Sequence, residues 1–215
     1  MAIGLHYQIE LTSEGHTVVE KIVIKTKEQL KEWLSYEHQV YGNVRGLRLF
    51  CGLGEQAILW KHQRLLRKAE YYTNANKKLL SLLFRIRLNK VQTKYAMHVP
   101  LNCCGKGFKI MHVGPILINE KAIIGHDCVV HMNVAIVAGG TDDYAPVLGN
   151  NIVVGYGAVI LGNTMIADGV AIGANAVVNR DVLEQGIAVA GVPSKKISEH
   201  GRSYWAKSDK ANVAT

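Results

Sequence analysis

Residues 147–178 read VLGNNIVVGYGAVILGNTMIADGVAIGANAVV. Within them Leu148, Val154, Ile160, Ile166, Ile172 and Val178 recur at every sixth position. Four residues after each stands a small or β-branched side chain: Ile152, Ala158, Thr164, Val170, Ala176 and, just past the run, Val182. The same beat precedes them at Ile118, Ile124, Val130 and Ile136, with Ala122, Cys128 and Val134 in the second slot. A period of six matches neither the 3.6 of a helix nor the 2.0 of a strand. It is the period of a parallel β-helix, in which each hexad makes one short face and three hexads close a triangular coil. The recurring aliphatics then stack inside as ladders, and the chain is expected to be mainly β.

The two runs are joined by Ala138-Gly139-Gly140-Thr141-Asp142-Asp143-Tyr144-Ala145-Pro146-Val147, where the beat would put Asp142 in an aliphatic slot. An unpaired carboxylate is too costly in a dry core. A loop extruded at one corner is therefore expected, and loops on rigid scaffolds are where functional groups gather.

Ahead of the coil the pattern changes. LHYQIEL (5–11) and TVVEKIVI (17–24) read as short strands around a Ser13-Glu14-Gly15 turn. Thr26 followed by Gln29 is a capping-box signature for a helix over 27–40, with Leu30, Trp33, Leu34 and Tyr41 on its apolar side. Two helices are expected over 55–73 and 76–92. The first would bury Ile58, Leu65, Leu66 and Ala69; the second carries Leu79, Leu80, Leu82, Leu83, Phe84, Ile86 and Leu88. The expected organisation is an α+β extension (1–54), a helical region (55–100), the β-helix (101–200) and a tail (201–215).

The chain has 215 residues and 48% hydrophobic content, enough for a substantial core. No apolar run approaches the ~18–20 residues that span a bilayer. The start, MAIGLHYQIE, lacks a secretory signal's basic flank and long apolar stretch, so a cytoplasmic location is expected. Cys51, Cys103, Cys104 and Cys128 form no CxxC pair and read as reduced structural thiols. The formal net charge of +8 is concentrated in residues 61–94, where ten Lys and Arg face one acid, Glu70. That imbalance points either to a solvated helix face or to an anionic partner: coenzyme phosphates, a nucleotide sugar, a lipid-linked diphosphate or a membrane surface approached through residues 61–94. No nucleic-acid partner is expected, because nothing resembles a groove-reading module.

Counting back six from Ile118 puts His112 in an aliphatic slot. An imidazole titrates near neutral pH and suits a general base. Around it, Gly105-Lys106-Gly107-Phe108-Lys109-Ile110-Met111-His112, Ile118-Asn119-Glu120 and Ile124-Gly125 resemble the serine acetyltransferase family. So do Gly173-Ala174-Asn175-Ala176-Val177-Val178 and Ala190-Gly191-Val192-Pro193-Ser194-Lys195-Lys196-Ile197. The likeness covers about 55–200 and is greatest to the serine acetyltransferase-like proteins of surface-polysaccharide clusters. It implies a left-handed coil, a homotrimer with sites between subunits, acetyl-CoA as cosubstrate, no metal, and His112 as the catalytic base. It also implies a coenzyme groove lined by Gly139, Gly140, Gly157 and Ala174, with Tyr156 where the family has a small residue. Lys195 and Lys196 would meet the nucleotide phosphates, and backbone N–H groups at Gly139–Gly140 would serve the oxyanion.

Two departures bear on the acceptor. The family's aspartate partner of the histidine falls at Met97, and its loop Arg-His pair falls at Tyr144 and Ala145. A carboxylate substrate wants a bidentate cation, and residues 138–147 hold none. The expected acceptor is therefore a sugar or glycan hydroxyl in surface-polysaccharide synthesis, with Asp142, Asp143 and His131 as substrate residues. Serine O-acetylation and a non-catalytic scaffold are the alternatives. His126 and His131 also form the HxxxxH spacing of prism-shaped zinc enzymes that resemble γ-class carbonic anhydrases. Such zinc needs a third histidine, and two coils upstream the sequence has Lys90. His126 is instead expected to be exposed, and His131 near the site or a subunit contact.

Overall fold

The computed structural model describes residues 9–11, 17–19, 23–42, 54–140 and 144–202. Strands β1 (Ile9–Leu11) and β2 (Thr17–Val19) pair antiparallel, Ile9 opposite Val19. The turn expected at 13–15 and the loop glycines 43–53 lie outside the described residues. Helix α1 (Lys27–Val40) starts at the expected capping box: Thr26 Oγ1 accepts from the Gln29 N–H, and Gln29 Oε1 accepts from the Thr26 N–H. Helix α2 (Glu55–Asn74) and helix α3 (Lys78–Tyr95) follow.

The remainder is the coil. Face one stacks β4 (Lys109–Ile110), β7 (Val129–Val130), β10 (Val153–Val154), β13 (Ala171–Ile172) and β15 (Ala188–Ala190) in parallel. Face two stacks β3 (Met97–His98), β5 (Ile116–Ile118), β8 (Val134–Val137), β11 (Val159–Leu161) and β14 (Val177–Val178). Face three stacks β6 (Ile123–Ile124), β9 (Val147–Leu148) and β12 (Met165–Ile166), continued by bridges from Cys104 to Ile124 and from Ile166 to Val182. A final strand, β16 (Lys195–Ser198), folds back antiparallel on β15. Every aliphatic of the six-residue beat from Ile118 to Val178 is at most 3% exposed. They form the ladders Ile118–Ile136–Ile160–Val178, Ile124–Leu148–Ile166 and Val130–Val154–Ile172.

The first coil departs from the beat. Ile110, not His112, pairs with Val130 and fills the inward slot of face one. From Ile110 to Ile118 is eight residues, so two extra residues widen that corner and carry His112 outward. The second irregularity is larger. Ile136 on face two and Leu148 on face three occupy consecutive faces twelve residues apart, where Ile118 and Ile124 make the same step in six. One hexad's extra length thus lies between β8 and β9, in the interval where the extruded loop was expected. Residues 141–143, with Asp142 and Asp143 among them, lie outside the described residues.

The corner between faces three and one is held by a vertical run of side chains. His126 Nδ1 accepts from the Lys106 N–H at 3.0 Å, Asn150 Oδ1 from the His126 N–H at 2.8 Å, and Asp168 Oδ1 from the Asn150 N–H at 2.7 Å. His126 is therefore a partly buried rung whose ring also meets Trp33 edge-on, and not the exposed residue expected. Along this corner Gly107, Asp127, Asn151 and Gly169 take positive φ, the conformation that glycine and short polar side chains tolerate. At Gly107 glycine is also needed for space, since a Cβ would collide with the Asp127 carboxylate.

The helices cap the open lower end of the prism through Arg67. This side chain of α2 is fully buried. Its Nε and Nη2 meet the Glu37 carboxylate of α1, its Nη1 meets Glu70, and Nη1 and Nη2 also donate to the Cys104 and Gly105 carbonyls of the first coil. Glu37 in turn accepts from the Gly107 N–H, and Glu70 from the Asn102 N–H. Burial opposes the guanidinium charge, but the two carboxylates outweigh it and hold Arg67 firmly cationic. Trp33 lies 4.8 Å from the guanidinium carbon. One of the ten cations counted in 61–94 is thus structural.

The buried helix faces differ from those expected. On α2, Leu59, Trp60, His62 and Gln63 are buried beside Leu66 and Ala69, while Ile58 and Leu65 are only half-buried. On α3, of the seven apolar residues named, Leu88 is buried and Phe84 half-buried; the other five are exposed.

Removing one member of a buried charge cluster strands the others, at ~3–5 kcal/mol. Arg67→Ala is accordingly expected to lower the unfolding free energy by that amount in a denaturant titration. His62 supplies a pH test. Burial first, then the Arg67 charge, lowers its pKa from 6.5 to about 4. The unfolded chain binds the extra proton between those values, so stability falls as pH drops through that window, by about 3 kcal/mol at pH 4. His62→Gln is expected to flatten this part of the stability–pH curve.

Candidate active site

The corner between faces one and two gathers several of the sequence-picked residues. Strand β4 delivers His112 to it, and the two extra residues of the first coil leave the imidazole half exposed, at 50% of its side-chain surface. One coil higher, the end of β7 delivers His131, whose ring lies 6.1 Å from that of His112. Burial, then His112 and Arg202, lower the pKa of His131. The next two coils bring Tyr156 with Gly157, and Ala174, to the same corner. Tyr156 is 46% exposed, and its hydroxyl accepts from Asn133 Nδ2. Gly157 has a φ of +69°, and a Cβ there would strike the Asn175 amide one coil above, so the edge stays narrow at this level.

A residue absent from the sequence reading completes the pair. Glu55 opens α2 at the foot of this corner. Its Oε2 lies 3.2 Å from His112 Nδ1, and its Oε1 accepts from the Val113 N–H at 2.8 Å. The carboxylate is thus fixed at both oxygens and receives the Nδ1 proton. In that tautomer the lone pair of the ring is on Nε2. Met97, which stands where the family has its aspartate, is fully buried on β3 beneath β5 and takes no part. The only sequence cue to Glu55 was an acid in a helix's first turn. Nothing along the chain links it to a histidine 57 positions away.

Other sequence-picked residues fall elsewhere. Gly139 and Gly140 are exposed at the next corner, between faces two and three, and within one chain face two separates them from His112. Lys195 and Lys196 lie on β16 beyond the last coil. Lys196 Nζ is held by Glu184 at 2.6 Å and Glu199 at 2.8 Å, which raise its pKa and offset the charge expected to meet phosphates. Cys103, Cys104 and Cys128 are buried free thiols. Burial raises the Cys128 pKa to about 12, which makes it a ladder residue and not a nucleophile. Among the described residues no group of three His, Cys, Asp or Glu is disposed to hold a metal ion. No described helix is long and apolar enough to cross a membrane.

No protein-family model matches the chain. Among curated proteins, it is 38% identical over 118 residues to the serine acetyltransferase of Synechococcus elongatus, covering 53% of this chain and 47% of that one. It is 30% identical over 154 residues to the serine acetyltransferase of Buchnera aphidicola subsp. Acyrthosiphon pisum, covering 68% and 54%. The chain thus spans about half the length of the curated relatives it matches. Among solved structures, it superposes with a TM-score of 0.61 on the serine acetyltransferase of Brucella abortus in complex with coenzyme A, at 19% identity, covering 81% of this chain and 70% of that one. That superposition shows the fold, and with it the left hand of the coil. In sequence and in architecture, the chain is a serine acetyltransferase-like hexapeptide-repeat protein, a left-handed parallel β-helix capped by helices.

Proposed function

We propose that this chain transfers an acetyl group from acetyl-CoA to a hydroxyl oxygen, with His112 as general base and Glu55 as the residue that positions it. The Glu55–His112 pair on an exposed prism edge carries this reading. With Nδ1–H held by the carboxylate, Nε2 is free to take the proton of an incoming hydroxyl. The oxygen attacks the thioester carbon, the carbonyl oxygen becomes an oxyanion, and the carbon–sulfur bond then breaks. The departing thiolate regains a proton from the imidazolium, whose charge Glu55 has balanced meanwhile. No acyl-enzyme forms, in keeping with the burial of the thiols.

The separation of Gly139 and Gly140 from His112 favours a homotrimer, in which a neighbouring prism brings its second corner against this one. Their backbone N–H groups would then face the oxyanion, and Tyr156, Gly157 and Ala174 would line the coenzyme groove. The relative solved with coenzyme A supports the cosubstrate. Lys195 remains a candidate for the nucleotide phosphates; Lys196 is committed to Glu184 and Glu199.

The acceptor reading changes with the comparisons. The relatives are serine acetyltransferases, and nothing among them supports the sugar hydroxyl or the polysaccharide role expected from the missing Arg-His pair. Serine is the better-supported acceptor. His131, whose ring lies 6.1 Å from that of His112, is a candidate to meet it, and Asp142 and Asp143 are the loop candidates.

His112→Ala is expected to lower kcat by ~10²–10⁴ while coenzyme A affinity, measured by titration, stays near wild type. Glu55→Gln offers an amide that can donate to Nδ1 and so selects the wrong tautomer. Its kcat is expected to fall by up to ~10⁴ at an unchanged unfolding midpoint, and wild-type kcat would remove Glu55 from the mechanism. With acetyl-CoA and L-serine, the chain is expected to release thiol and form O-acetylserine. Thiol release with sugars alone would restore the glycan acceptor, and none with either would favour the scaffold reading.

A further inference from the structure

Helix α3 has two apolar sides, and packing uses only one. Ser81, Phe84, Leu88, Val91 and Tyr95 turn toward α2 and the first coil. At 100° per residue, Leu79, Leu82, Leu83 and Ile86 gather on the opposite side, in the i, i+3, i+4, i+7 spacing of a continuous stripe. They are 84%, 58%, 40% and 48% exposed. A soluble helix docked by one face ordinarily shows charge on the other. Here the same wheel puts Lys78 and Arg85 along one flank of the stripe, Arg87 and Lys94 along the other, and Lys90 in line with it. From residue 71 to residue 119 the sequence has no Asp or Glu. The stripe continues into a groove of about 1040 Å³ between α3 and the first coil, lined by Leu82, Ile86 and Leu101 with Arg85, Lys90, Lys121 and one acid, Glu120.

We infer that this face of α3 docks on an anionic lipid surface. The occupant must accept leucines and cations together. Acyl chains beneath acidic headgroups do so: the leucines enter the boundary while the Lys and Arg stems reach up to phosphate. Charge complementarity sets the lipid surface apart from the other candidates. A second copy packed face to face would press two sets of five cations together, with one carboxylate apiece, Glu120, to offset them. A free polyphosphate would use the cations and leave the leucines wet. The expectation that residues 61–94 meet an anion thereby narrows to the exposed half of α3, since Arg67 is spent inside the fold.

The test uses the full chain without coenzyme or acceptor, so its outcome is independent of the proposed activity. In flotation with phosphatidylcholine vesicles containing about one third phosphatidylglycerol, the chain is expected to partition at least ~10-fold more strongly than with phosphatidylcholine alone. Raising the salt should weaken the partition. Leu82→Glu with Ile86→Glu, and separately Arg85→Glu with Lys90→Glu, should each abolish flotation at an unchanged unfolding midpoint. Equal flotation with neutral vesicles, no flotation with either, or undiminished flotation of both variants would overturn the proposal. So would a drop in assembly mass of Leu82→Glu/Ile86→Glu in sedimentation equilibrium, which would make the face a contact between copies.

Discussion

One guanidinium joins the two halves of this molecule. Arg67 donates to Glu37 on α1, to Glu70 on its own helix, and to the Cys104 and Gly105 carbonyls that begin the coil. A buried charge survives only when its donors are all met, and here they are, by groups from three separate segments. None of those segments can shift without stranding a charge, so α2 has a single seat on the prism. Glu55 stands on the same helix, roughly 18 Å back along its axis at the usual rise per residue. Where its carboxylate arrives, and hence which ring nitrogen of His112 carries a proton, follows from how Arg67 is held.

The coil contributes the other half of the geometry by breaking its own rule twice. A perfect hexad repeat would face each beat residue inward, and an imidazole there would be dry and useless as a base. Two surplus residues between Ile110 and Ile118 let Ile110 keep the ladder while His112 moves to the edge. A surplus hexad between Ile136 and Leu148 leaves Gly139 and Gly140 exposed at another corner. Each insertion sits at a corner, where extra chain can leave without disturbing a parallel ladder. Regular coils supply rigidity, and irregular corners supply chemistry.

Histidines of this chain show how environment sorts one residue type into different duties. His62 is enclosed beside a cation and stays neutral. His126 is a backbone acceptor in a corner ladder. His112 combines exposure with a carboxylate on Nδ1, and His131 sits beside it with its proton disfavoured. Spacing along the chain could not distinguish them. HxxxxH made His126 and His131 look like a pair, whereas the fold puts them on opposite sides of face one.

What the sequence determined by itself was whatever repeats locally. The six-residue beat places Ile118 to Val178 inward because each hexad carries its own inside and outside, and Thr26 with Gln29 starts α1 because both partners lie within one turn. An acid at 142, where the beat demanded an aliphatic, signalled the extra chain length between Ile136 and Leu148 through the same logic. Only the tertiary structure decided the rest: that Arg67 of the basic segment is interior, that the leucines of α3 are largely exposed, that His112 stands at a corner, and that Glu55 is its partner. Each of these depends on segments tens of residues apart being pressed together. Periodicity describes a residue's own turn of chain, and carries no information about which distant turn will be packed against it.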